Sequence, residues 1–218
     1  MLITDYISSD FMPVKVSQTV EESLELIYRF GLSHVPVLDD ENFGGNLLRE
    51  TLEESESKSV ISELGELTEF FYITENGSLL DAVQNFHQAD SNVLPVLNRE
   101  LKYVGLLLLE DVIQGLSAMP FIFEPGSIII VEINHKRFSI SEIAKIAESN
   151  NARIIGLFIT RYRENHIQIA LKLIADNLTS IGETFERFDY TVVYKFFNDE
   201  KDEMMKDRFN QLMKYLDI

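Results

Sequence analysis

Apolar positions in the first third of the chain change their spacing in a fixed order. Val20, Leu24, Ile27 and Tyr28 recur at helical intervals. Thr19 precedes this stripe with Glu22 three residues on, a capping-box pattern, and Gly31 follows as a stop. The next apolar run, Val35-Pro36-Val37-Leu38, is short and continuous and predicts a strand. A polar turn at Asp39-Asp40-Glu41-Asn42 leads to a second strand, Gly45-Asn46-Leu47-Leu48, and a helical segment begins near Arg49. The order then starts again. Ser78 caps a helix bearing Leu79, Val83 and Phe86, Leu94-Pro95-Val96-Leu97 repeats the strand, and Asn98-Arg99-Glu100 repeats the turn. Val104–Leu108 is the second strand of this copy, and a helix begins near Glu110. Met12–Val16 and Phe70–Thr74 predict strands leading into the two copies, and the stretch between the copies, 51–69, has the composition of a flexible polar connector. Pro36 and Pro95 stand 59 positions apart, a period that marks two copies of one supersecondary unit.

A different order occupies the second half. Met119-Pro120 and Glu124-Pro125-Gly126 punctuate the chain and place a boundary near 120–126. Ser127–Ile133 predicts a strand, Ser139 or Ser141 opens a helix with Ile143, Ile146 and Ala147 on its apolar side, and Asn150-Asn151 ends it. Arg153–Arg161 predicts a strand, Glu164-Asn165 a turn, and His166–Ile174 alternates cleanly as the next strand. Asp176 or Asn177 caps a helix carrying Leu178, Ile181 and Phe185, and Tyr190–Phe197 is the last strand. This is β-α-β-β-α-β, the split βαβ arrangement. Beyond it Met204, Met205, Phe209, Leu212, Met213 and Leu216 form an amphipathic stripe in a C-terminal helix over 199–218.

Charge separates the halves. Residues 1–125 hold 6 Lys/Arg against 22 Asp/Glu, whereas residues 126–218 hold 13 against 14. The repeated half should therefore repel nucleic acid and anionic membranes, and neither is an expected partner. With no cysteine there is no disulfide framework or thiolate chemistry. No signal peptide or membrane-length apolar run is visible, which makes a cytoplasmic protein the expectation. His34, His87, His135 and His166 are scattered, and no pair has metal-ligand spacing. No Gly-x-Ser-x-Gly or phosphate loop is present, so neither a catalytic nor a metal site is expected.

The helix–strand–strand–helix order, the Val-Pro-Val-Leu and Leu-Pro-Val-Leu strands, and Gly105 ahead of Glu110-Asp111-Val112 resemble a tandem pair of CBS domains. The resemblance covers residues 1–120, copy one at about 1–58 and copy two at about 59–120. It implies an α+β pair packed with pseudo-symmetry, a homodimer, and clefts able to hold an adenosine nucleotide. Asp111 matches the family's ribose-binding Asp, but Leu108 stands in place of its Ser or Thr. In copy one Leu48 replaces the hydroxyl residue and Thr51 the Asp. The candidate ligand-binding residues are Asp111, Val93, Leu94, Pro95 and His34. A helix-cap role for Asp111 is the competing reading. Residues 126–198 resemble a ferredoxin-like, ACT-like domain, although the loop Asn134–Phe138 lacks the glycine of amino-acid-binding members. His135-Lys136-Arg137 is either an exposed basic loop or a phosphate or carboxylate site. The whole order is similar to accessory proteins of acetoin utilisation. It implies a non-catalytic regulatory or ligand-sensing protein. A ligand-free oligomeric scaffold with degenerate clefts is the alternative.

Overall fold

The computed structural model describes residues 1–9, 11–64 and 68–197, which fall into two compact units, Met1–Ala118 and Met119–Ile218. The C-terminal stripe beyond residue 198 lies outside the described residues.

In the first unit, β1 (Val14–Lys15) precedes α1 (Val20–Phe30), β2 (His34–Asp39), β3 (Asn42–Leu48) and α2 (Arg49–Glu53). After a 3-10 turn at Ile61–Glu63 come β4 (Thr68–Glu69), β5 (Ile73–Thr74), α3 (Leu79–Ala89), β6 (Val93–Leu97), β7 (Tyr103–Leu108) and α4 (Leu109–Ser117). The strands form two sheets, ordered β1-β2-β3-β4 and β5-β6-β7. Thr19 and Ser78 each accept from the backbone N–H three residues on, while Glu22 and Asp81 reach back to the cap, completing both capping boxes. Gly31 and Asp90 end these helices in the left-handed conformation.

Two expected core positions are corrected. Tyr28 and Val83 are exposed, and the buried faces are Val20, Ser23 and Ile27, and Leu79, Ala82 and Phe86. Ser23 and Ala82 are equivalent in the repeat. A small side chain there sits on the buried face, and the Ser23 hydroxyl is satisfied by the Thr19 carbonyl at 2.9 Å. The expected Phe70–Thr74 strand is shorter, with only Ile73–Thr74 paired, to β6.

The stretch between the copies is also more than a flexible spacer. Ile61 is buried in the core of copy one. Val20 N donates to Ser59 O, Ile61 N donates to Gln18 O, and β4 extends copy one's sheet beside β3. The chain's own start does the same for copy two. Leu79 N donates to Met1 O, Ile3 N donates to Gly77 O, and Ile3 is fully buried in copy two's core. Ser8 and Leu106 exchange backbone hydrogen bonds of 2.8 and 2.9 Å. Each copy thus lends its leading segment to the other. Gly105 permits the close approach, since a Cβ there would lie 2.6 Å from Ser8 O.

The second unit opens with α5 (Pro120–Phe123), then β8 (Ser127–Asn134), α6 (Ile140–Ser149), β9 (Arg153–Arg163), β10 (His166–Ile174), α7 (Leu178–Arg187) and β11 (Thr191–Phe196). Its sheet is antiparallel, in the order β11-β8-β10-β9. That is a split βαβ fold with both crossover helices on one face. Ile129, Val131 and Ile133 of β8 and Ile167, Ile169, Leu171 and Leu173 of β10 meet Ile143, Ile146, Ile181 and Phe185 of the helices in one buried core. Ser139 and Asn177 are the helix caps.

Candidate functional site

The site is built where α1 and α3 hand over to β2 and β6. Ser33 and Asn92 occupy equivalent places 59 positions apart and clasp each other. Ser33 N donates to Asn92 Oδ1 at 2.8 Å, and Asn92 N donates to Ser33 Oγ at 3.0 Å. Ser33 Oγ also donates to Asn92 Oδ1 at 3.0 Å, and Asn92 Nδ2 donates to Gly31 O at 2.8 Å. Equivalent residues bonding reciprocally place the pseudo-two-fold axis between them. Val93 and Leu106 of copy two pack into copy one's core beside Val35 and Leu47, so the seam is apolar behind the clasp.

A cleft of about 290 Å³ opens at this seam, lined by Phe30, Gly31, Leu32, Asn92, Leu108, Leu109, Glu110 and Ile113. Its floor is the start of α4, where Leu109 N donates to Asn92 O at 3.0 Å. Leu108 is the N-cap and supplies no side-chain bond, so the capping role considered for Asp111 is corrected. Asp111 lies instead in the first turn of α4, half-buried, with Glu110 beside it. Two carboxylates at a helix N-terminus favour the helix and oppose a phosphate. The lining of the cleft includes no Lys or Arg. Shape and charge therefore suit an uncharged, largely apolar group better than a polyphosphate.

None of the residues chosen from the sequence, Asp111 included, is part of the lining of this cleft. Val93, Leu94 and Pro95 are all buried on β6, and Leu94 belongs to the core of copy two. His34 lies on β2 at 1% exposure. Its Nδ1 is 2.9 Å from Ser33 Oγ, and its ring meets Phe71 edge-on at 5.1 Å between centroids. Nε2 has no hydrogen-bond partner among the described residues and is 3.7 Å from the Glu69 carboxylate. Burial pushes the His34 pKa down, against the opposing pull of Glu69, Asp90 and Glu50.

Asn46, diagonal to His34 on the neighbouring strand, was not picked out by the sequence pattern. Its Nδ2 donates to Glu69 O and Phe71 O at 3.2 and 2.9 Å, and its buried Oδ1 has no partner among the described residues. The equivalent positions in copy two are the buried Val93 and Leu106. Copy one alone therefore carries two buried polar atoms with unmet bonding capacity, each costing about 1–3 kcal/mol if left so.

In the second unit the basic run is partly committed. Arg137 pairs with Asp189 at 2.8 Å, and Asn134 Oδ1 accepts from Lys136 N. Among the described residues no three His, Asp or Glu side chains gather as a metal site, and no helix is long and apolar enough to cross a membrane.

The CBS domain family model matches residues 3–44 and 61–118. Among solved structures, the chain is similar to a CBS domain pair/ACT domain protein from Thermotoga maritima at 24% identity, covering 53% of this chain and 96% of that one, with a TM-score of 0.48. It is similar to the CBS domains of a transcriptional regulator from Streptococcus pneumoniae at 14% identity, covering 52% and 98%, with a TM-score of 0.47. It is also similar to CBSX2 in complex with AMP at 20% identity, covering 53% and 95%, with a TM-score of 0.44. No curated protein matches the chain. The internal repeat, the clasp on its pseudo-two-fold axis and the family match over both copies lead to one conclusion: the N-terminal unit is a pair of CBS domains.

Proposed function

We propose that this chain is a non-catalytic regulatory protein, a cytoplasmic homodimer that senses an adenosine-type ligand at the seam of its CBS pair. In this reading residues 1–120 are the sensing pair, 126–198 an ACT-like transmitting domain, and 199–218 a C-terminal helix. The observation that carries it is the seam cleft, mostly apolar in lining, to which the first turns of α4 give Leu109, Glu110 and Ile113, the same stretch of helix that bears the Asp111 carboxylate. A ribose hydroxyl can donate to that carboxylate, while Glu110 and the acidity of the unit work against a polyphosphate. Binding changes the protein only if the ligand prefers one packing of the two copies over another.

A ligand-free scaffold is the second reading. It is favoured by Leu108, which gives no hydroxyl where phosphate would sit, and by the filled apolar positions Val93 and Leu106. Thermal shift separates the two. Adenosine, AMP, ADP, ATP and S-adenosylmethionine are tested on the full chain with and without magnesium. A melting temperature that rises more with adenosine or AMP than with ATP supports sensing. No rise with any of them at millimolar concentration sinks it. Where a ligand does bind, Asp111→Ala should weaken it by about 1–3 kcal/mol, and an unchanged affinity places the ribose elsewhere.

A further inference from the structure

One face of the C-terminal sheet is covered by α6 and α7, and the register of its strands fixes what the other face presents. Three rows cross it. Thr191, Glu132, Gln168 and Arg161 make a polar row, in which Gln168 Nε2 donates to Glu132 at 3.0 Å. Tyr194, Ile130, Ala170 and Phe158 make an apolar row. Phe196, Ile128, Lys172 and Gly156 make the third.

The β9 corner of the third row is already occupied. Phe121 of α5 lies on Gly156, where even a Cβ would be 1.9 Å from its ring, and packs on Phe158. Lys172 Nζ donates to the Phe121 and Ile122 carbonyls at 2.8 and 3.1 Å. The β11 side has no such cover among the described residues. Tyr194 is 53% exposed and Phe196 47%, beside the half-buried Ile128 and Ile130.

We propose that the chain's own C-terminal segment, residues 199–218, docks on this open half of the sheet. The described chain leaves the face's exposed edge at Phe197, directly after Phe196. The segment that follows carries the apolar stripe Met204, Met205, Phe209, Leu212, Met213 and Leu216 among charged residues. The open half of the two apolar rows amounts to roughly 100 Å² at ordinary strand and residue spacings. That is well below the ~800 Å² per partner of a stable dimer. A tethered segment needs less area, because its local concentration is in the millimolar range.

The chain has no cysteine, so paired substitutions give a clean readout. Tyr194→Cys is combined in turn with Met205→Cys, Phe209→Cys or Leu212→Cys on the stripe, and with Asp207→Cys or Lys214→Cys as controls on the opposite side. After mild oxidation of the full-length chain, the stripe pairs should close intramolecular disulfides several-fold more than the controls. Chiefly disulfide-linked dimers would overturn the proposal by giving the face to a second copy. Equal closure by stripe and control pairs overturns it by showing no ordered docking. Truncation after Phe197 should speed amide exchange in 128–132 and 191–197 several-fold, and unchanged exchange there also refutes it.

Discussion

The reciprocal clasp at Ser33 and Asn92 can be taken apart one bond at a time. Asn92→Ala removes two accepted hydrogen bonds, from Ser33 N and Ser33 Oγ, and one donated bond, to Gly31 O. The backbone bond from Leu109 N to Asn92 O survives the change. Partly buried hydrogen bonds are each worth about 0.5–1.5 kcal/mol net, and Ser33 N loses its acceptor, so the total comes to about 2–3 kcal/mol. Ser33→Ala removes the acceptor of Asn92 N, one donor to Oδ1, and the hydroxyl's contacts with the buried His34 Nδ1 and with Ser91 Oγ. It should cost as much, about 2–3 kcal/mol. Because the two share bonds, the double variant should fall short of the sum by about 1 kcal/mol. Urea unfolding of the full chain gives the midpoint shift at constant slope. Amide exchange over residues 31–36 and 90–96 reports the seam itself. A shift below about 0.5 kcal/mol with unchanged exchange at both peptides would refute the reasoning. The copies would then be held together by the apolar contacts of Val93 and Leu106.

Two further outcomes are expected. The folded state keeps His34 neutral, with a pKa below its ordinary 6.5. The unfolded chain therefore takes up that proton first as the pH falls. The resulting stability is full above 6.5 and is lost as the pH drops through that value toward the folded-state pKa. Melting temperature should fall between pH 7 and pH 5 more steeply in the wild type than in His34→Val, which installs copy two's residue. Parallel profiles would show that His34 does not titrate differently on folding. Ile61→Ala should cost about 2–5 kcal/mol, as for a large-to-small change in a core. A cost near zero in urea unfolding would mean the 59–64 segment is not part of copy one's core.

The elements themselves were readable because their signals are local. Thr19 with Glu22, Ser78 with Asp81, and Gly31 state where a helix starts or stops within a few residues of chain. Periodicity was less exact about faces. It placed Tyr28 and Val83 inward, but the narrower buried stripe runs through the small residues Ser23 and Ala82. What could not be read was anything that depends on distant partners. The 59–64 stretch looks like a connector because its few apolar residues, Val60, Ile61 and Leu64, find their contacts some forty positions back in the chain. Asn46 looks like an ordinary polar interruption in a strand until the strand is laid beside Glu69 and Phe71. His34 stood out by its place before Val35-Pro36. Its unmet Nε2 is a property of packing and leaves no mark in composition.

The exchange of leading segments sets an order for synthesis. Chains are made from the N-terminus, and units fold as they emerge. Residues 1–8 leave the ribosome ahead of the rest of the unit, yet the backbone partner of Ser8 is Leu106, near the unit's far end. Copy one, meanwhile, must wait for Ile61 and β4 before its core and sheet are complete. Neither copy can finish alone, so a nascent chain halted between them holds an incomplete copy one, a leading segment without its partner, and no finished domain. The pair is therefore one folding unit assembled late, and cutting the gene at the apparent repeat boundary would separate each copy from a piece of its own interior.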